Sequence, residues 1–121
     1  MKTILVVDDD KSVRRLYKAE LEAEGYGIML AADGHQAMDL VNSRMPDLVV
    51  MDIRMPGTDG LETMGRLLRE HGDVPIILHT AYSCYQDDFL AWAAEGYVIK
   101  SADLEALKEK IRDVLHEHQT T

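Results

Sequence analysis

Two short apolar runs end in acid: Ile4-Leu5-Val6-Val7 leads into Asp8-Asp9-Asp10, and Leu48-Val49-Val50-Met51 leads into Asp52. Two more end in polar groups of other kinds, Ile76-Ile77-Leu78-His79 at Thr80 and Tyr97-Val98-Ile99 at Lys100. Each type suits one task of phosphoryl transfer. Carboxylates gathered at one place repel one another unless a cation compensates them. Mg²⁺ takes oxygen ligands in octahedral geometry, commonly a few carboxylates plus waters and substrate oxygens, and Mn²⁺ accepts the same donors. Asp9 and Asp52 can bind such an ion directly, with Asp8 acting at closer range or through water. The carbonyl of Arg54 offers a third protein ligand. A carboxylate such as Asp52 can also take a phosphoryl group as an acyl phosphate. Lys100 would neutralise phosphoryl oxygens, and the Thr80 hydroxyl would donate a hydrogen bond to one of them.

This chemistry requires the four runs to end at one place. Unbroken Val/Ile/Leu runs read as strands covered on both faces, as in a parallel sheet. Helical patterns lie between them. Val13, Leu16, Tyr17 and Leu21 follow the helical period, and Gly25 stops that helix before a strand near Ile28–Leu30. Asp33 and Gln36 resemble a capping box opening a helix with Ala37, Met38 and Val41 inward. Pro46-Asp47 breaks it. The turn-rich Met55-Pro56-Gly57-Thr58-Asp59-Gly60 precedes a helix carrying Leu61, Met64, Leu67 and Leu68, with Asp59 and Glu62 spaced to cap it. A fourth helix is expected around Phe89, Leu90, Trp92 and Ala93. A fifth places Leu104, Leu107, Ile111, Val114 and Leu115 on one stripe. Five β-α units in order, joined by right-handed crossovers, predict an α/β fold: a doubly wound five-stranded parallel sheet with five helices on its two faces. Its carboxyl edge is where such sheets bind ligands.

The 121 residues read as one domain with room for a core. A net charge of −9 is wrong for nonspecific nucleic-acid binding and for an anionic membrane surface. No apolar stretch approaches the roughly 20 residues of a membrane span, and the opening residues turn acidic too soon for a signal peptide. Cys84 is the single cysteine, so a disulfide framework is excluded and a reducing cytoplasm is the simplest setting.

Val-Val-Asp-Asp-Asp, Asp-Leu-Val-Val-Met-Asp-Ile-Arg-Met-Pro-Gly-Thr-Asp-Gly, Pro-Ile-Ile-Leu-His-Thr-Ala and Tyr-Val-Ile-Lys together resemble the response-regulator receiver domain (CheY-like) of two-component signalling, over essentially the whole chain. The resemblance implies a flavodoxin-like strand order 2-1-3-4-5. It implies Asp52 as phosphoacceptor, Asp8 and Asp9 as the metal-binding pair, Thr80 as switch hydroxyl, Lys100 as the phosphate-contacting lysine and Tyr97 as the switch aromatic. The implied donor is the phosphohistidine of a sensor histidine kinase or histidine phosphotransferase. The implied output is a protein target bound on the face of the fourth helix, fifth strand and fifth helix. Catalysis would be limited to the chain's own phosphorylation and dephosphorylation. Residues 1–121 would form a single receiver domain without an output domain. Where the family carries Lys-Pro this chain has Lys100-Ser101, and a cis bond before a non-proline residue costs about 2.5–4 kcal/mol. A trans bond or a strained loop is expected there. Ala93–Tyr97 also departs from the family's spelling. Arg54 and Tyr82 take the positions that flank the phosphoryl group, where bulk would lengthen its lifetime.

Blander readings compete residue by residue. Asp10 reads as a helix cap, and His79 as a satisfied core or sheet-edge histidine. Trp92 and the methionines read as core or partner-surface packing, and His116 and His118 as solvent-exposed. Glu105, Lys108, Glu109, Lys110 and Arg112 read as the solvated face of the last helix. Two rival functions remain. A haloacid-dehalogenase-type phosphatase would use Asp8 as nucleophile and Asp10 as general acid/base, but places Asp87-Asp88 on the wrong side of Lys100 and leaves Asp52 without a task. A pseudo-receiver would keep the fold without turnover, against the intact Asp8, Asp9, Asp52, Thr80 and Lys100.

Overall fold

Uninterrupted aliphatic segments form a five-stranded parallel sheet: β1 (Thr3–Val7), β2 (Gly27–Ala31), β3 (Leu48–Met51), β4 (Ile76–Thr80) and β5 (Gly96–Ile99). The computed structural model describes residues 1–55, 58–81, 90–101 and 103–119. The order across the sheet is β2-β1-β3-β4-β5, all pairs parallel. This is the doubly wound, flavodoxin-like arrangement expected from the sequence.

Both faces are covered, which is why the strands do not alternate apolar with polar. Leu5, Val7, Val49, Met51, Ile76 and Leu78 face one core, closed by α2 (Gly34–Ser43) and α3 (Gly60–Glu70). Ile4, Val6, Leu48, Val50 and Ile77 face the other, closed by α1 (Lys11–Ala23) and α4 (Glu105–Gln119). A separate antiparallel ladder pairs Arg54–Met55 with Thr58–Asp59 between β3 and α3.

The aspartate caps read from sequence are formed. Asp10 accepts from the Ser12 and Val13 amides at the start of α1, Asp33 from Gln36 and Asp59 from Leu61. Gln36 returns a bond to the Ala32 amide, one residue before the cap. Gly25 closes α1 with φ +97°, a left-handed conformation that glycine adopts without strain.

Three expectations are corrected. Of the expected fourth helix, Leu90–Ala93 forms a 3₁₀ turn, and 82–89, with Phe89, lie outside the described residues, which contain four α-helices. Leu16 is 52 % exposed, so it does not belong to the core; Trp92, at 70 % exposed, lies outside it too, which leaves, of its two readings, the surface one. For Leu16 the reason is angular. Tyr17 and Leu21, four residues apart, set the inward stripe of α1, and Leu16 lies about 100° from Tyr17 around the helix. Of the last helix's charged face, Lys108 is drawn inward to Glu20 at 3.4 Å, tying α4 to α1. His116 is exposed as expected. The Lys100–Ser101 bond is trans.

Candidate functional site

The sheet register brings the acids together. Val7 pairs with Met51, so Asp8 and Asp52 leave neighbouring strands at one level. Ladder-like bonds continue one residue further: the Asp52 amide donates to the Val7 carbonyl at 3.0 Å, and the Asp8 amide to the Ala31 carbonyl at 3.1 Å. Both residues are buried.

Lys100 spans the gap. Its Nζ lies 2.6 Å from Asp8 Oδ2 and 2.8 Å from Asp52 Oδ2. Burial alone would lower the pKa of this ammonium. The hydrogen bonds to Asp52 and Asp8, with their charges, outweigh it and raise the pKa above the usual lysine value. The second oxygens are also held, Asp8 Oδ1 by the Asp10 amide at 2.9 Å and Asp52 Oδ1 by the Ile53 amide at 2.7 Å.

Asp9 completes an acidic trio and is exposed, with carboxylate oxygens of Asp8, Asp9 and Asp52 within 4.8 Å of one another. Three carboxylates without nitrogen or sulfur donors form a hard oxygen set, which fits Mg²⁺ or Mn²⁺ better than zinc. Lys100 leaves part of their charge uncompensated, so the donor set and its charge both suit a divalent cation. Arg54 opens the short ladder two residues after Asp52, with its side chain exposed.

The other expected residues lie where the strands should bring them. Thr80, fully buried, ends β4, and its carbonyl accepts the Lys100 amide at 2.8 Å. Tyr97 is half-buried beside Leu78 on the core face shared with α2 and α3. Asp10 is occupied as the α1 cap, which removes it from the acid/base role a dehalogenase-type phosphatase would require. Tyr82, Cys84, Asp87 and Asp88 lie outside the described residues.

Two participants were not anticipated, and a third departs from its expected state. Gly60 packs so closely behind Asp52 that a Cβ there would stand 2.2 Å from the Asp52 carbonyl oxygen and 2.7 Å from Ile53 Cα. Its sequence signal is a glycine at the first position of a helix whose cap is already Asp59. Arg14 reaches back from α1 to the Asp8 carbonyl at 2.7 Å. The signal here is spacing, because a side chain one turn into a helix leans toward its N-terminus. His79, expected to be satisfied, is buried with Nδ1 lacking a hydrogen-bond partner among the described residues, its ring 5.3 Å from that of Tyr17. Desolvation, reinforced by the Lys100 charge and opposed by Asp52, lowers its pKa from 6.5 to about 4.

Comparison with known proteins agrees with this geometry. A family model described as the response regulator receiver domain matches residues 4–112. Response regulator MprA of Mycolicibacterium vanbaalenii is 40 % identical over 114 residues, covering 93 % of this chain and 49 % of that protein. The crystal structure of response regulator TrrA from Thermotoga maritima, in complex with Mg²⁺-BeF, has TM-score 0.91 and 47 % identity, covering 94 % of this chain and 99 % of that one. TrrA in complex with the histidine kinase ThkA gives TM-score 0.89 and 48 % identity, covering 95 % and 99 %. The chain spans about half the length of the curated relatives it matches. With all five strands save Thr3 at the edge, the acidic trio and Lys100 inside the segment matched over residues 4–112, this chain belongs to the response regulator receiver domain family.

Proposed function

We propose that this chain accepts a phosphoryl group on Asp52 from the phosphohistidine of a sensor histidine kinase or histidine phosphotransferase, and that the transfer switches a protein-binding surface. The carrying observation is the Lys100 ammonium held between Asp8 and Asp52 beside the solvent-facing Asp9. In the transfer, an Asp52 carboxylate oxygen forms the new bond to phosphorus as the bond to the donor's imidazole nitrogen breaks. Lys100 already lies at Asp52 Oδ2 and compensates charge carried by the phosphoryl oxygens. Thr80, linked to Lys100 through the backbone, supplies a hydroxyl from the next strand.

Asp8, Asp9 and Asp52, with the Arg54 carbonyl, would hold Mg²⁺, for which Mn²⁺ can substitute. When bound, the ion supplies electrostatic stabilisation of the phosphoryl oxygens. Support comes from the oxygen-only donor set and from TrrA, whose structure holds Mg²⁺ with beryllium fluoride, a stand-in for a phosphoryl group. The kinase partner is supported by the TrrA–ThkA complex.

Output would pass through the face made by the region before β5, β5 itself and α4, with Thr80 and Tyr97 as the switch. Trp92 and Ile99 leave exposed apolar surface there. Such a change is a population shift, biased by contacts available mainly in the phosphorylated state. We read residues 1–121 as one receiver domain acting in the cytoplasm, with catalysis confined to its own phosphorylation and dephosphorylation. The acidic balance argues against direct nucleic-acid binding, and no helix among the described residues is long and apolar enough to cross a membrane.

The test is incubation with acetyl phosphate. A hydroxylamine-sensitive phosphoprotein should form with Mg²⁺ and disappear with EDTA. No acyl phosphate under either condition would favour the pseudo-receiver.

A further inference from the structure

Every polar atom of Asp8 is engaged. Its amide donates to Ala31, Oδ1 accepts from the Asp10 amide, and Oδ2 accepts from Lys100. The fourth contact differs in kind. The Asp8 carbonyl accepts from Arg14 Nη1 at 2.7 Å, a short, charge-assisted bond in a part-buried setting. A cation bound by Asp8, Asp9 and Asp52 must share the carboxylate oxygens with Lys100 and the Asp10 amide. The carbonyl contact makes no such demand, so it can hold Asp8 whether or not a cation is present.

Arg14 acts from a fixed base. The Asp10 cap orders the first turn of α1, and the Arg14 amide bonds the Asp10 carbonyl at 3.0 Å. The adjacent Arg15 is exposed, so one of two successive arginines is turned to the acidic site. We infer that Arg14 is a positioning residue of the metal site, fixing Asp8 through its main-chain carbonyl. The inference rests on reading Asp8, Asp9 and Asp52 as a Mg²⁺ site. It carries a distinctive sign. A positive charge near three carboxylates would by itself weaken cation binding, so removing mere charge would tighten it. Removing a positioning contact weakens it.

The experiment is calorimetric titration of Mg²⁺ into wild type, Arg14→Met, Arg14→Lys and Arg15→Met, with thermal melts in EDTA to establish folding. Arg14→Met should raise the Mg²⁺ Kd roughly tenfold, the scale found for contacts that orient metal ligands. Arg15→Met should leave it unchanged or slightly tighter. Arg14→Lys should recover part of the loss, because an ammonium still donates one bond to a carbonyl. Acyl phosphate formation from acetyl phosphate should approach the wild-type rate once Mg²⁺ is saturating. A Kd for Arg14→Met equal to or tighter than that of Arg15→Met overturns the assignment. If Arg14→Met does not fold in EDTA, the same comparison decides between Arg14→Lys and Arg15→Met. Wild type that binds no Mg²⁺ overturns the reading of the site, and this assignment with it.

Discussion

The Lys100 amide donates to the Thr80 carbonyl at 2.8 Å, joining the residue that compensates the acids to the residue that closes β4. Displacement of either backbone is therefore felt by the other. Thr80→Ala removes the hydroxyl but keeps this link and the Lys100 contacts. Acetyl phosphate should still label the variant. The change in fluorescence of Trp92, the chain's one tryptophan, on phosphorylation should shrink markedly. An undiminished signal would remove Thr80 from the switch.

Lys100 is the cation between Asp8 and Asp52, and both carboxylates are buried. Removing one partner of a buried ionic cluster leaves uncompensated charge, so Lys100→Met should cost about 3 kcal/mol in urea unfolding without Mg²⁺. Mg²⁺ should stabilise this variant more than wild type, since both cations draw on the same oxygens. Equal Mg²⁺-induced shifts in Tm would argue that the ion binds elsewhere. The wild-type ammonium, with its pKa raised, stays charged from acid to well above neutral pH.

Gly60→Ala tests the close packing behind Asp52. The added methyl would meet the Asp52 carbonyl and Ile53 backbone rather than a flexible side-chain end. A loss of about 3 kcal/mol is expected from such overpacking, with slower phosphorylation because the Asp52 backbone must move. Unchanged stability and rate would show that the loop yields freely.

His79 gives a pH signature. Its folded pKa, about 4, lies below the ordinary 6.5, so between these values the unfolded chain binds the proton that the folded chain refuses. Stability is thus fully present above pH 6.5 and is lost as pH falls toward 4, by on the order of 3 kcal/mol. His79→Leu should flatten the stability profile across this window relative to wild type. It also removes a buried Nδ1 without a hydrogen-bond partner among the described residues, so little stability should be lost at neutral pH. Parallel profiles would refute the assignment.

The strand ends carried most of the legible information. Unbroken aliphatic runs disclose strands buried on both faces, and a polar residue after each run names what meets at the sheet edge. Asp10 was readable as a cap because Asp before a helical pattern satisfies orphan amides. Leu16 misled because its hydrophobicity fits the helical period loosely, whereas burial follows the narrower stripe of Tyr17 and Leu21. Arg14, Gly60 and His79 were hidden for a different reason. Their roles depend on one backbone oxygen, a van der Waals gap and a missing hydrogen bond, all created by tertiary placement.

The central claim is that Asp52, rather than Asp8, carries the phosphoryl group. Wild type, Asp52→Asn and Asp8→Asn should each be incubated with acetyl phosphate and Mg²⁺, reduced with borohydride to convert any acyl phosphate into a stable alcohol, and mapped by peptide mass spectrometry. The modification is expected at residue 52 in wild type, at reduced yield in Asp8→Asn, and at neither residue in Asp52→Asn. A modification at Asp8 that survives in Asp52→Asn would contradict the account.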